Sequence, residues 1–353
     1  MQYGDIILPS VSLIRSSRIF IKTMSTHRRV LTALLLAVSC LMPKAVLAAT
    51  TLAASPFETY VSDDGEPARL NAIVSHAFAQ ANLSVDLHVM RDAFLGSAVL
   101  TGKVDGNFAY VNLGESTDDF FMSDIYLPIH LYAVSKRYDV ENVRLFPHLK
   151  DNRVAIENRF ANTPTFRALK EIKWSRNPTT FDAFRQLADD RAPYLITTKL
   201  LADEFNLLLA HDGEELLHFS AKPMVKTGFQ LAIRKTASNA QQTITAFNDA
   251  IVTLQDNGTY NVLLNKPWLT KDIDNDGVAD YVGASSVTRR SHSVEYAFSL
   301  DGKPVSAKSR FYIDGMQYAS IEDAQSALTL SDASLQQESQ LDATIYQNLI
   351  RKW

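Results

Sequence analysis

Residues 68–111 switch between the spacing of an amphipathic helix and the alternation of a strand. Segment 68–82 repeats its apolar residues at helical intervals, namely Leu70, Ile73, Val74, Ala77 and Phe78. LSVDLHV then alternates apolar and polar residues, which is typical of a strand. A short helix around 94–100 and the strand-like GNFAYVNL follow. This β-α-β order with short connections predicts a mainly parallel α/β sheet.

A second series of strands and helices follows between residues 153 and 258. RVAIEN, APYLIT and GFQLAIRK are predicted strands, and TKLLADEFNLLLA is a predicted helix. Thr163 and Pro164 supply an N-cap and a proline at the first helical position, so they predict a helix over TFRALKEI. A long amphipathic helix then ends at Asn257-Gly258.

The pattern changes after Trp268. Two short strands are predicted around a turn at Asp301-Gly302. A second turn at Asp314-Gly315 and a helix capped by Ser320 are predicted to follow. A final amphipathic helix is predicted from the spacing of Leu335, Leu341, Ile345 and Leu349. Together these elements predict that residues 284–353 form a small α+β appendage.

A hydrophobic run near the N-terminus has the features of a secretory signal. Basic residues 27–29 precede VLTALLLAVSCLM, and small residues end at Ala48, after which we expect cleavage. The basic head favours Met24 as the start of translation, with a longer leader as the alternative. Cys40 is a poor lipidation site because an alanine stands three residues before it. We therefore expect a leader over 1–48 and a periplasmic mature protein.

The composition is that of an ordinary globular protein. The 353 residues are 46% hydrophobic and 21% charged, with a formal net charge of -4. This length accommodates roughly two domains of about 150 residues each. Lys and Arg are scattered along the chain, which argues against a nucleic-acid partner. Cys40 is the only cysteine, so a mature chain beginning after Ala48 has neither a disulfide nor a thiol nucleophile.

Known catalytic motifs are absent from the sequence. It contains no G-x-S-x-G elbow, no P-loop and no G-x-G-x-x-G, and its eight histidines are dispersed without metal-ligand spacing. These absences favour a protein that is not an enzyme.

The segment DIDNDGVADY is a candidate calcium loop. Asp272, Asp274, Asp276 and Asp280 occupy relative positions 1, 3, 5 and 9, and the Val278 carbonyl would fill position 7. A glycine at position 6 permits the sharp turn, but position 12 is also glycine instead of glutamate. The loop is therefore closer to the calcium loops of dockerin or thrombospondin repeats than to a full EF-hand. The sequence predicts a structural Ca²⁺; the alternative is a solvated acidic turn.

Several short segments, in this order, resemble bacterial extracellular solute-binding protein family 3. They are Pro56-Phe57, Asp63-Asp64-Gly65, Gly102-Lys103-Val104-Asp105, Ser123-Asp124-Ile125-Tyr126, LYAVSKRYD, FQLAIRK and DNGTYNVLLNKPW. The resemblance covers about residues 50–269. It implies an α/β, two-lobed periplasmic-binding-protein type II fold in which two crossings join the lobes.

The domain boundaries follow from this resemblance. Lobe 1 is expected to comprise 49–136 and 229–269, and lobe 2 to comprise 137–228. The calcium-binding loop would then occupy 270–283, and the appendage 284–353. Simple importer subunits that resemble this family usually end near the position of Trp268.

Two departures from the family pattern bear on the ligand. Members that bind amino acids typically have an Arg where this sequence has Ser116, and an acidic residue where it has Thr197. A bidentate Arg–carboxylate pair is hard to replace. The departures therefore argue against an α-amino acid ligand.

The resemblance also places four segments at the cleft. The candidate ligand-binding residues are Phe57, Tyr60, Arg91, Tyr110, Asn112, Ser116, Tyr126, Arg159, Thr163 and Thr197. The aromatic residues would supply flat apolar contacts with polar tips, or else fill the core. Arg91 would replace the missing carboxylate anchor, or else be a solvated surface arginine. The helix start at Thr163, beside Arg159, would offer free N–H groups to an anion.

Three functions remain open at this point. The leading hypothesis is a monomeric periplasmic protein that captures a small polar or anionic molecule for the permease of an ABC-type importer. The second is a periplasmic sensor that reports ligand occupancy to a membrane receptor, which the C-terminal appendage favours. The third is an enzyme on the same fold, similar to the dehydratases of this family, since one fold hosts many functions.

Overall fold

The computed structural model describes residues 49–328 and 338–353. The predicted leader, with Met24, Cys40 and the cleavage site after Ala48, lies outside these residues, as does Leu335. No helix in the described part of the chain is both long and apolar enough to cross a membrane.

Strands and short helices alternate along most of the described chain. The strands are β1 (Thr50–Ala54), β2 (Val85–Val89), β3 (Gly106–Val111), β4 (Phe120–Met122), β5 (Leu127–Pro128), β6 (Leu131–Ser135), β7 (Arg153–Glu157), β8 (Lys173–Asn177), β9 (Tyr194–Thr198), β10 (His218–Phe219), β11 (Gly228–Arg234), β12 (Trp268–Lys271), β13 (Asp280–Gly283), β14 (Phe298–Ser299), β15 (Phe311–Ile313) and β16 (Met316–Tyr318). The α-helices are α1 (Arg69–Gln80), α2 (Asp92–Leu100), α3 (Asn158–Ala161), α4 (Pro164–Arg167), α5 (Thr180–Ala188), α6 (Lys199–Asp212), α7 (Ala240–Asp256), α8 (Thr259–Leu264), α9 (Ile321–Ser326) and α10 (Ala343–Ile350).

The first lobe is built on a sheet with the strand order β2-β1-β3-β11-β4, and β5 also pairs with β11. β1 runs parallel to β2 and β3, whereas β11 runs antiparallel to β3. The predicted apolar face of α1 is buried as expected, with Leu70, Ile73, Val74 and Ala77 at 0% exposure. Burial of each large aliphatic side chain contributes about 1.5–3 kcal/mol relative to leaving it exposed.

The second lobe has its own sheet, with the order β10-β6-β9-β7-β8. β6 pairs with β9 through Leu131–Val134, so it belongs to this lobe. The first crossing therefore lies between β5 and β6, before residue 131, and the predicted boundary at residue 136 is too late. The return crossing ends at Gly228, next to the expected residue 229. A Cβ at Gly228 would lie 2.8 Å from the Leu127 carbonyl, so the close approach of the two crossings requires glycine.

A third sheet follows, with the order β14-β12-β13-β15-β16. β12 and β13 form an antiparallel pair on either side of the Asp-rich loop, so this unit begins at Trp268 and not at residue 284. The turn at Asp314-Gly315 joins β15 to β16 as predicted. The turn at Asp301-Gly302 does not join a hairpin, because β14 pairs in parallel with β12 instead.

The C-terminal helix α10 packs on the second lobe instead of completing the third sheet. The buried Tyr346 ring packs edge-on against Phe181 and Phe184 and lies 5.7 Å from the Phe205 ring. The Trp353 indole N–H donates to the Glu215 carbonyl at 2.7 Å. The predicted single appendage over 284–353 is therefore divided between the third sheet and a helix that contacts lobe 2.

Candidate functional site

The two lobes meet in a group of side chains that we call the cleft cluster. Its members are Phe57, Glu58 and Tyr60 from lobe 1, and Glu157, Arg159 and Thr198 from lobe 2. The Tyr60 and Thr198 hydroxyls lie 2.8 Å apart. Arg159 Nη2 donates to the Pro56 carbonyl at 2.6 Å, and the buried Arg69 and Glu204 form an ion pair between α1 and α6. These contacts hold the lobes against each other.

A tight loop after β1 presents the lobe 1 members of the cluster. The Phe57 N–H donates to the Val61 carbonyl at 3.0 Å, and the Val61 N–H donates back to Phe57 at 2.7 Å. Thr59 takes a positive φ of 61°, a conformation that non-glycine residues adopt rarely. The loop therefore fixes the direction of the aromatic residues on either side of Glu58.

Arg159 is the residue that links the two halves of the cluster. Its guanidinium carbon lies 3.8 Å from the centre of the Phe57 ring, in cation–π contact. Its Nε donates to Glu157 Oε2 at 3.2 Å. An arginine from lobe 2 thus contacts an aromatic ring and a carbonyl of lobe 1 while it neutralises a carboxylate of its own lobe.

The two carboxyl groups of the cluster, Glu58 and Glu157, both have raised pKa values. Burial raises the pKa of Glu157, and the nearby Arg159 and the Thr180 hydroxyl oppose that rise. Burial also raises the pKa of Glu58 from 4.5 to about 7; the Tyr346 side chain opposes this rise, and Glu157 adds to it. The buried Tyr346 hydroxyl makes no hydrogen bond of good geometry to any described residue. Arg159 therefore pairs with Glu157, and the cluster carries net negative charge when both of its carboxyl groups are ionised.

The structure brings together Phe57, Tyr60 and Arg159, three of the predicted ligand-binding residues. Glu58, Glu157 and Thr198 also belong to the cluster and were not predicted from the sequence. Glu157 is the last residue of β7, and ligands of α/β proteins bind at the carboxyl ends of parallel strands. That position was the signal that could have identified it.

Four other predicted residues lie on lobe 1 outside the cleft cluster. Tyr110 is half-buried on β3, and burial raises its pKa. Asn112 is exposed and accepts from the Gly114 N–H at 2.9 Å, and the exposed Ser116 donates to Asp118 at 2.9 Å. Arg91 is exposed at the N-terminus of α2.

The remaining three predicted residues occupy structural positions. Tyr126 is buried in the lobe 1 core, where its ring packs edge-on against Phe247 at 5.5 Å. Thr197 is buried, and its hydroxyl has no hydrogen-bond partner among the described residues. The Thr163 hydroxyl donates to the Phe160 carbonyl at 2.7 Å.

The helix that starts at Thr163 is shorter than predicted, and its first N–H is occupied. α4 spans only Pro164–Arg167, so the helix ends before the last five residues of TFRALKEI. The Thr165 N–H donates to the Leu113 carbonyl of lobe 1 at 3.0 Å. The expected anion site is therefore replaced by a contact between the lobes.

The Asp-rich loop forms the turn between β12 and β13. Carboxylate oxygens of Asp272, Asp274 and Asp276 lie within 4.8 Å of one another. The Asp276 and Gly277 N–H groups donate to Asp272 at 3.1 and 2.9 Å, and Gly277 takes a φ of +90°. These bonds bring alternate carboxylates to one side of the loop, as a calcium loop requires.

Other positions of the loop fit a calcium site less completely. The buried Asp280 accepts from the Ile273 and Arg310 N–H groups at 3.3 and 2.8 Å and lies outside the group of three carboxylates. Lys303 donates to Asp272 and neutralises part of its charge. The Val278 N–H donates to Asp276 at 2.8 Å. Three carboxylates thus fit a cation, and Lys303 and Arg310, whose Nη1 lies 3.6 Å from Asp274, compete with it.

Comparison with solved structures identifies the fold. No family model and no curated protein matches the sequence. The GluR0 ligand-binding core in complex with L-glutamate superimposes with a TM-score of 0.51 and 8% identity, over 62% of this chain and 97% of that one. The GluR0 core from Nostoc punctiforme, also with glutamate, gives 0.50 and 16% identity, over 61% and 97%. A mutant of ArgBP from T. maritima gives 0.48 and 19%, over 61% and 93%. The chain therefore has the two-lobed periplasmic-binding-protein fold.

Proposed function

We propose that this protein binds a small polar molecule between its two lobes, as a periplasmic solute-binding protein that serves an ABC-type importer. The observation that carries this proposal is the cleft cluster, in which charged and aromatic side chains from both lobes meet. A pair of lobes joined by two crossings can open by a hinge and close around a ligand. The predicted secretory signal supports a periplasmic location.

The charges of the cluster indicate the chemistry of the ligand. Arg159 offers a planar donor group for a carboxylate or another anionic group. Glu157 and Glu58 offer acceptors for an ammonium or hydroxyl group, and Phe57 and Tyr60 offer flat apolar surface. A ligand that carries both an anionic and a cationic group would replace the internal Arg159–Glu157 pair with two pairs of its own. The charges of the cleft cluster thus favour a zwitterion over a simple anion.

A sensory role is the second candidate, and the path of the C-terminal segment favours it. The third sheet contacts lobe 1, where Asn261 Nδ2 donates to the Val282 carbonyl at 2.9 Å. Helix α10 packs on lobe 2, where Lys352 pairs with Asp189 at 3.0 Å. A segment attached to both lobes would change shape when the lobes move, and a membrane receptor could bind that changed surface.

A thermal-shift screen tests the binding proposal. The purified protein is heated with amino acids, amines, organic acids and small sugars, and a ligand at a hundred times its Kd should add about 2.7 kcal/mol of stability. Arg159→Met leaves Glu157 buried without its partner, so the double variant Glu157→Gln/Arg159→Met is used beside it. We expect both variants to lose the response, and the exposed Arg167→Met control to keep it. A ligand response that survives in the double variant would contradict the assignment of the cluster.

We also propose that the Asp-rich loop binds a structural Ca²⁺. The convergence of Asp272, Asp274 and Asp276 supports this proposal, and Ca²⁺ would add to the charge neutralisation that Lys303 and Arg310 supply. We expect calcium to raise the Tm of the wild type relative to EDTA, and Asp274→Asn to abolish the increase. The exposed Asp212→Asn serves as the control. An equal wild-type Tm in calcium and EDTA would rule out the ion.

A further inference from the structure

Two adjoining cavities lie between α6 and the start of the C-terminal unit, apart from the cleft cluster. Their volumes are about 470 Å³ and about 230 Å³. Both are lined by Lys199, Asp203, Lys266, Tyr296 and Ala297. We call this space the α6 cavity. Its size falls within the range of small-ligand pockets, roughly 300–1,000 Å³.

A largely buried lysine in the wall of this cavity has no close partner for its ammonium group among the residues that the structure describes. The Lys266 side chain is 12% exposed, and its Nζ lies 4.0 Å from Glu204 Oε1, too far for a hydrogen bond. Both oxygens of Glu204 are already used, Oε1 by Arg69 and Oε2 by the Gln340 N–H at 2.7 Å. Two buried cations therefore share one carboxylate. An ammonium group has three protons to donate, and their burial without acceptors is costly.

The charge of Asp203 also raises the pKa of Lys266, but no charged residue of the cavity lies at hydrogen-bonding distance from its ammonium group among the described residues. Lys199 and Asp203 neutralise each other, with Nζ 2.8 and 3.0 Å from the two carboxylate oxygens. Glu295 lines the cavity but is exposed at its rim, where water solvates the carboxylate. Burial lowers the pKa of Lys266, and Glu204 opposes this effect. An anion beside Nζ would raise the pKa of Lys266, as Glu204 does.

The rest of the wall is largely apolar. Leu207, Ala210 and Leu216 line the larger cavity on the lobe 2 side, and Trp268 and Tyr296 line it on the side of the C-terminal unit. Leu216 and Tyr296 are 45% and 85% exposed, so large apolar surface stands open at the mouth. Such surface beside an unmatched charge suits a molecule with an apolar body and one anionic end.

We propose that the α6 cavity is a second ligand site, which binds a small aromatic or aliphatic carboxylate with its carboxylate on Lys266 Nζ. The apolar part of the ligand lies against Leu207, Ala210 and Tyr296. This site is independent of the cleft cluster, and it lies where lobe 2 and the C-terminal unit face each other.

Isothermal titration with benzoate, and with benzamide as its uncharged counterpart, tests the proposal. A charge-assisted hydrogen bond of about 1.5–3 kcal/mol corresponds to roughly ten- to a hundredfold in Kd. We therefore expect saturable benzoate binding that weakens at least about tenfold in Lys266→Met and for benzamide. Lys103→Met removes an exposed lysine of lobe 1 and should leave the Kd unchanged.

Two further variants separate this site from the cleft and from a folding defect. Ala210→Trp keeps Lys266 but fills the cavity from an exposed helix position, so we expect it to block benzoate binding in a folded protein. Glu157→Gln/Arg159→Met should leave benzoate binding intact. The proposal is overturned if benzoate does not saturate, if Lys266→Met or Ala210→Trp binds it as the wild type does, or if the cleft variant abolishes binding.

Discussion

The cleft cluster and the α6 cavity are both lined by charged side chains, but they differ in how those charges are matched. In the cleft, Arg159 is held by Glu157, by the Pro56 carbonyl and by the Phe57 ring. In the cavity, the Lys266 ammonium faces the Glu204 carboxylate at 4.0 Å and makes no hydrogen bond to another residue in the described part of the chain. A ligand in the cleft must replace internal contacts, whereas a ligand in the cavity would supply a missing one. The first arrangement suits a hinged, selective site, and the second a site that is ready before binding.

Glu204 connects the two regions, because it pairs with Arg69 between the lobes and faces Lys266 in the cavity. Its replacement should therefore have the largest effect on stability. Glu204→Gln leaves two buried cations without a counter-charge, and we expect a loss of about 3–5 kcal/mol in urea unfolding. The control is Glu171→Gln, which breaks the exposed Lys150–Glu171 pair at 3.8 Å and should cost less than about 1 kcal/mol. A similar small loss in both variants would show that Glu204 does not balance these charges.

The raised pKa of Glu58 predicts that the stability of the protein depends on pH. The folded protein holds the Glu58 proton up to a pKa of about 7, whereas the unfolded chain releases it near 4.5. The contribution of this group to stability is thus fully present below pH 4.5 and is lost as the pH rises to about 7. It amounts to at most about 3 kcal/mol.

Glu58→Gln removes the titrating group and provides the matched comparison. Urea unfolding from pH 4.5 to 8 should show a shallower decline for the variant than for the wild type over this window. Parallel profiles for the two proteins would mean that Glu58 titrates normally in the folded state.

The hydroxyl contact between the lobes should contribute least. Tyr60→Phe removes the bond to Thr198 at 2.8 Å within a fully buried site, and we expect a loss of about 1 kcal/mol. Tyr138→Phe, at an exposed position, should be neutral within error. If the two variants are equally stable, the Tyr60–Thr198 contact does not hold the lobes together.

Local sequence patterns were sufficient for the elements that bury one face on a neighbouring sheet. The helices α1 and α7 bury the apolar faces that their periodicity predicts, and β11 forms where its sequence predicts a strand. β8 was missed, because Lys173–Asn177 has no apolar alternation and is a strand only through its pairing with β7. The docking of α10 on lobe 2 was also missed, because a helical stripe does not identify the surface that will cover it.

The site was predicted only in part for a related reason. The family resemblance implied an acidic residue on β9, at the position where this chain has Thr197. β7 and β9 are adjacent parallel strands, and Ile156 pairs with Ile196. A carboxylate does lie on the neighbouring strand, because Glu157 is the last residue of β7. A comparison of aligned sequence positions does not show that Glu157 and Thr197 lie on neighbouring strands, whereas the pairing of β7 with β9 does.

Capture by lobe closure is tested most directly by the distance between the lobes. Spin labels on cysteines at the exposed positions Lys103 in lobe 1 and Lys170 in lobe 2, in a Cys40→Ser background, report this distance by pulsed electron resonance. We expect a broad distribution in the free protein and a shorter, narrower one with the most stabilising compound of the thermal-shift screen. An unchanged distance distribution with a compound that titration shows to bind in the cleft would contradict capture by lobe closure.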